Sequence, residues 1–220
     1  MHYICIHGVC HGGWCWEKVE ERLVAAGHTV SCPDLPLTSF ADDVQAVRNL
    51  LEQSPEPVVL VGHSYGGHVI SAAAKGQGQV KHLVYVAALM LAAKEVPLEA
   101  SAEYPSDFGE YVRIHDDGYF DFADEDSKRC FYNQCDAKDA EAAVARLRST
   151  ALECVSVPSG CEPWETTPST YLLCSDDRAV SPDQQRVMAQ RAQHVIELDT
   201  DHSPFYSALE ETCDCLLALE

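Results

Sequence analysis

Six short apolar runs, separated by stretches of helical periodicity, constrain this chain more than any other feature. They are residues 3–6 (Tyr-Ile-Cys-Ile), 28–32, 57–61 (Pro-Val-Val-Leu-Val), 80–86, 170–174 (Thr-Tyr-Leu-Leu-Cys) and 194–198. Short, β-branched runs of this kind read as strands. Those at 57–61 and 170–174 are almost continuously apolar, as parallel strands covered on both faces are. Residues 16–26 carry Val19, Leu23 and Val24 ahead of Gly27, a helix with a glycine stop. Residues 40–53 follow Ser39, with Asp42 three positions on; residues 182–192 follow Ser181, with Pro182 first and Gln184 completing the better capping box. A last helix is expected from Pro204 to about Leu217. The alternation predicts an α/β fold with a mostly parallel sheet flanked by helices. Residues 91–165 break the rhythm with one predicted helix (Ala137–Leu152), several aromatics, many acids and no convincing core strand. A stretch that long is not a structureless loop. It is expected to be an inserted, mainly helical cap on a core made of residues 1–90 and 166–220.

Charge narrows the function classes. Fifteen Lys and Arg against 35 Asp and Glu give a formal net charge of −20. Nucleic-acid binding needs clustered cations, and an anionic membrane surface repels such a chain. Neutral or hydrophobic small molecules remain as partners. The 11 cysteines are an odd number and contain no CxxC pair. Several lie in apolar runs, where Cys serves as a small hydrophobe. A reducing compartment, the cytoplasm, is expected. The N-terminus shows no signal-peptide pattern, and no apolar run approaches a membrane span.

The chemistry concentrates in Val58-Val59-Leu60-Val61-Gly62-His63-Ser64-Tyr65-Gly66-Gly67-His68-Val69-Ile70. It reads strand, Gly-x-Ser-x-Gly, helix. Small residues at 62 and 66 let the chain turn tightly and lift the Ser64 hydroxyl above the sheet edge. A serine needs a base, and the base an orienting acid. His202 follows the last strand and so falls at the same edge as Ser64, whereas His194 begins its strand at the opposite one. The acid is expected after the strand at 170–174. Asp177 is favoured, three residues past Cys174, with Asp176 as runner-up; Asp199 and Asp201 read as solvated turn residues. The glycine-rich loop His7-Gly8-Val9-Cys10-His11-Gly12-Gly13-Trp14 follows the first strand. It nominates the main-chain N–H groups of Val9 and Tyr65 as an oxyanion hole. It lacks the spacing and the Lys of a phosphate-binding loop.

On these motifs the chain resembles the α/β-hydrolase superfamily and, within it, the methylesterase and hydroxynitrile-lyase group. The resemblance rests on His7 to Trp16, Gly62 to Gly67, the Asp177 segment and Asp201-His202. Asp177-Arg178-Ala179-Val180 is similar to the Asp-x-x-Val that follows this strand in many hydrolases. The cap is matched only in size and position. The resemblance implies a cofactor-free enzyme, a mostly parallel six-stranded α/β-hydrolase sheet under a lid, and catalysis by Ser64, His202 and Asp177. The lyases of the group carry a Thr after the first-loop His and a Lys after the catalytic His; here those positions are Gly8 and Ser203. This favours ester hydrolysis through an acyl-enzyme. A hydroxynitrile lyase, a cofactor-free oxygenase and a non-catalytic small-ligand receptor are the alternatives.

For the substrate pocket, Leu89 and Met90 at a strand end, Gly8 and His11 in the first loop, and Trp164 are candidates. Tyr119, Phe120, Phe122, Phe131 and Tyr132 are further possible walls. Apolar walls of this kind suit a modest, fairly hydrophobic ester. The acids from Asp116 to Asp126 lack the Gly and Glu of a calcium loop, and no metal site is expected. The chain is expected to be a monomer or homodimer.

Overall fold

The structure, a computed structural model, describes residues 1–54 and 57–219. The chain runs through β1 (His2–Ile6), α1 (Glu17–Ala25), β2 (Thr29–Ser31), α2 (Phe40–Gln53), β3 (Val58–His63), α3 (Tyr65–Ala74) and β4 (Val80–Val86). Then follow α4 (Pro97–Ala102), α5 (Asp107–Tyr111), β5 (Arg113–Ile114), β6 (Tyr119–Asp121), α6 (Asp124–Phe131), α7 (Ala137–Val144) and β7 (Thr150–Ala151). It closes with β8 (Ser169–Cys174), α8 (Pro182–Ala189), β9 (His194–Leu198), α9 (Pro204–Ser207) and α10 (Leu209–Leu217).

Six strands form one sheet in the order β2-β1-β3-β4-β8-β9, and every neighbouring pair is parallel. This is the α/β-hydrolase type of sheet flanked by helices. All six C-terminal strand ends therefore share one edge. The chain moves outward from β1 to β2 and returns to β3 on the other side of β1, so a crevice opens between the loops after β1 and β3. Alternate side chains of each central strand enter two apolar layers. Ile4, Ile6, Leu60 and Tyr85 face one layer with Val47, Val69 and Ile70. Tyr3, Cys5, Val59 and Val61 face the other with Trp16, Val19, Leu23 and Leu216. Burial on both faces accounts for the continuous apolar runs.

The ends of α1 follow its sequence. Gly27 takes φ +92°, His28 N–H donates to Leu23 C=O and Gly27 N–H to Val24 C=O, closing the helix in a Schellman motif. The helix expected over 137–152 stops at Val144. Residues beyond it are drawn onto other backbone: Arg148 N–H donates to Cys10 C=O, Cys10 N–H to Thr150 Oγ1 and Ala151 N–H to Leu37 C=O. Thr150 and Ala151 then pair with β6, in a three-stranded antiparallel sheet β5-β6-β7 that is separate from the large sheet. The helix expected over 204–217 is broken at Ala208 (φ −139°, ψ 50°), and that over 182–192 ends at Ala189. Among the described residues no helix is long and apolar enough to cross a membrane.

Candidate active site

Ser64 stands between the end of β3 and the start of α3 at φ 53°, ψ −124°. A non-glycine residue there stores roughly 1–3 kcal/mol of strain. The surrounding backbone over-determines it. Ser64 N–H donates to Val86 C=O, and Ser64 C=O accepts from the N–H groups of Gly67 and Leu89. A Cβ on Gly62 would lie 2.6 Å from Gly66 O, and one on Gly66 2.5 Å from Ile6 O. Cys10 after β1 (φ 62°) and Ala87 after β4 (φ 46°) also take positive φ.

Asp177 and His202 meet directly. Asp177 Oδ2 accepts the His202 Nδ1–H bond at 2.7 Å, with both side chains essentially buried. The same oxygen accepts from Gln185 Nε2 at 2.7 Å, and Oδ1 accepts from Ala179 N–H and Val180 N–H at 2.8 and 2.9 Å. Gln185 is itself fixed, donating to Val180 C=O and accepting from Cys174 N–H. Capping logic singled out its neighbour Gln184; Gln185 was recognisable only as a polar residue on the inner face of α8. Asp176 turns the other way, its Oδ2 accepting from Asn133 Nδ2 and Gln134 Nε2. His63, next to Ser64, donates from Nε2 to His202 C=O at 2.7 Å, and the two imidazoles lie 4.5 Å apart. Burial, aided by His202, pushes the His63 pKa well down. The Asp177–His202 pair is thus docked against the serine turn through His63. Asp201 departs from the sequence expectation of a solvated turn residue. It is fully buried, because it accepts four hydrogen bonds, from Gln134 N–H, Cys135 Sγ–H, Ser203 N–H and Ser207 Oγ–H. Asp199 is exposed, as expected of a turn residue.

The first loop is held by its own histidines. His7 accepts from Leu35 N–H at Nε2, so its Nδ1–H donates to Gly8 C=O. His11 Nδ1–H donates to Val9 C=O at 2.8 Å, and its Nε2 accepts from Tyr132 O–H at 2.8 Å. Burial lowers His7 to about 4 and His11 to about 3, consistent with neutral rings. Arg148 Nε adds a bond to His11 C=O. Gly8 lies against the serine: a Cβ there would be 2.8 Å from Ser64 Cβ.

A cavity of about 710 Å³ opens above this edge, lined by Val9, Ser64, Tyr65 and Leu89 from the strand ends. Pro97, Leu98, Ala102, Tyr104, Phe108 and Val112 close it from α4, α5 and their connections. Its only charged lining residues among those described are Asp107 and Glu110. Of the expected pocket residues only Leu89 lines it. His11 has both ring nitrogens engaged, Met90 is fully buried and Trp164 packs edge-on to Tyr85. The aromatics at 120, 122 and 131 pack with Phe108 into a ring cluster. The wall at 97–112 carried one signal, Pro97 and Pro105 punctuating a stretch that leaves β4 at the same sheet edge as Ser64. A second groove, of about 740 Å³, lies at the opposite end of the sheet beside Val80 and Pro168 and holds none of these groups.

Comparison with known proteins agrees with this architecture. The profile of the alpha/beta hydrolase family matches residues 3–214. Methylesterase 2 of Arabidopsis thaliana is 30% identical over 252 aligned positions, covering 100% of this chain and 95% of that protein. Alpha/beta hydrolase nvfD of Aspergillus novofumigatus is 33% identical over 227 positions, covering 93% and 90%. Among solved structures, polyneuridine aldehyde esterase superposes with a TM-score of 0.84 at 22% identity, covering 99% of this chain and 98% of that one. A pyrethroid hydrolase from Sphingobium faniae gives a TM-score of 0.88 at 22% identity, covering 99% and 96%. At that identity these two speak to the fold.

Proposed function

The chain belongs to the alpha/beta hydrolase family, and we propose that it hydrolyses small, uncharged, fairly apolar carboxylic esters through an acyl-enzyme on Ser64. The Ser64 hydroxyl attacks the ester carbonyl while His202 takes its proton. The N–H groups of Val9 and Tyr65 hold the oxyanion of the tetrahedral intermediate. His202 then gives the proton to the departing alcohol. Water, deprotonated by His202, releases the acid in a second passage. Asp177 keeps the His202 Nδ1–H fixed so that Nε2 is free to accept. Residues 91–165 act as the cap.

The observation that carries this reading is the buried Asp177–His202 pair, bonded at 2.7 Å and docked by His63 onto a strained serine that opens into an apolar cavity. Curated relatives named methylesterases support esterase chemistry. Among the described residues the cavity wall contributes two carboxylates and no cation. It therefore favours neutral esters and departure of the carboxylate product. A lyase-type Thr at position 8 would collide with Ser64, and Ser203 is a buried hydroxyl without charge.

Short-chain p-nitrophenyl esters test it. The wild type is expected to show a burst followed by turnover. Ser64→Ala should lose about four orders of magnitude in kcat, and Asp177→Asn about three to four, against less than about tenfold for Asp176→Asn. Undiminished hydrolysis by Ser64→Ala overturns the reading.

A further inference from the structure

The loops that bear the catalytic groups leave β1, β3, β8 and β9. From β1 to β9 is four strand spacings, roughly 19 Å at the level of the sheet. Strand pairing fixes the strands but not the loops beyond their ends. One short piece of the 91–165 segment reaches those loops on both sides of the crevice. Phe131, at the end of α6, sets its ring 5.3 Å from that of His11 and 5.8 Å from that of His202. Tyr132 O–H donates to His11 Nε2 at 2.8 Å, and the other ring nitrogen of His11 holds the Val9 carbonyl. Asn133 Nδ2 donates to Asp176 Oδ2 at 2.9 Å and to Asp176 C=O at 3.2 Å. Gln134 Nε2 adds a bond to the same carboxylate. Gln134 N–H donates to Asp201 Oδ2 at 2.7 Å, and Cys135 Sγ–H to the same oxygen at 3.4 Å. Asp201 returns the connection to the histidine loop through Ser203 N–H and Ser207 Oγ–H.

We propose that Tyr132, Asn133 and the Gln134 backbone are positioning residues, a single clasp that sets the oxyanion loop, the acid loop and the base loop relative to one another. Each contact falls on a residue beside a reacting group: His11 two past Val9, Asp176 one before Asp177, Asp201 one before His202. None of the three clasp residues lines the substrate cavity. The clasp therefore acts on catalysis through Val9, Asp177 and His202 and not by touching the ester. The wall at 97–112 and the clasp at 132–134 divide the labour of the cap between binding and geometry. This rests on the hydrolase reading above.

The distinction is kinetic. Loss of a wall contact raises KM, whereas misplaced catalytic groups lower kcat at unchanged KM. Tyr132→Phe removes one oxygen, and Asn133→Ala removes the Asp176 tether. Burst amplitude with p-nitrophenyl butyrate counts competent sites, so kcat is expressed per folded active site. Each variant is expected to lose about tenfold in kcat and in the single-turnover acylation rate, with KM within about twofold. The double variant should fall little below the worse single one, because two points of one clasp fail together. Raised KM with unchanged kcat, no kinetic change at all, or fully multiplicative losses would each overturn the clasp. Should Asn133→Ala not fold, the kcat-against-KM split of Tyr132→Phe decides alone. A Ser64→Ala protein that still turns over would sink the hydrolase reading instead; an inactive Ser64→Ala beside kinetically normal clasp variants sinks only the clasp.

Discussion

Ser64 is held in a conformation that its side chain disfavours, and two glycines make that possible. The limiting contacts at both are backbone atoms, which cannot rotate away. Gly66→Ala would force its methyl to within 2.5 Å of Ile6 O and 2.8 Å of His7 O. Overpacking against rigid backbone costs about 1–3 kcal/mol, at the upper end here because the contacted atoms are backbone. The expected outcome is a large fall in the urea midpoint, together with loss of esterase activity as β1 and α3 move apart. An unchanged midpoint would mean the turn is looser than described. The serine turn was legible because its signal is local, a fixed spacing of glycines around a serine between a strand and a helix. The choice between Asp176 and Asp177 was less legible. Two adjacent aspartates point to opposite sides of one loop, and only what lies on each side, His202 or Asn133, tells them apart. Asp201 escaped the sequence for the same reason: two of its four donors lie 66 and 67 residues away and two in its own loop.

At the scale of elements, helix starts separate local signal from tertiary override. Ser39 and Ser181 precede similar patterns, and sequence favoured Ser181. In the fold Ser39 has extended backbone and its Oγ accepts from Asp42 N–H at 3.1 Å. Ser181 makes no side-chain cap bond; Pro182 already occupies the first helical position. Ser39→Ala is therefore expected to cost about 1 kcal/mol, read as a shift in the denaturant midpoint, and Ser181→Ala only a few tenths. Equal losses would restore the sequence ranking. Strand placement was legible nearly to the residue, since β4 and β9 span 80–86 and 194–198 as expected. The length of α7 was not. Helical propensity continues past Val144, but bonds to Cys10 and Leu37 reward leaving the helix.

For the molecule as a whole, buried histidines set the acid limit. His7 and His68 are lowered to about 4, His11 to about 3 and His63 well below its ordinary value, each chiefly by burial. Unfolded, these rings titrate near 6.5. Between about 6.5 and 4 the unfolded chain binds more protons than the folded one, so stability falls as pH drops through that window. Asp43, raised by burial, works in the opposite direction, but it is one group against four. For each histidine, a tenfold loss of proton affinity on folding corresponds to about 1.4 kcal/mol at most. A steady decline of Tm from about pH 7 to pH 5 is the expected result by scanning calorimetry, and a flat Tm over that range would contradict it.

The parallel α/β order, the serine turn and the strand-end histidine could be read from the chain alone. Each is written in a period or a spacing of a few residues, and a parallel sheet places every strand end on one edge. Long-range contacts settled which aspartate meets His202, that Asp201 is buried, which residues wall the cavity and how residues 131–135 bridge the loops. Those depend on contacts between residues tens to more than a hundred positions apart, whose partners no local pattern encodes.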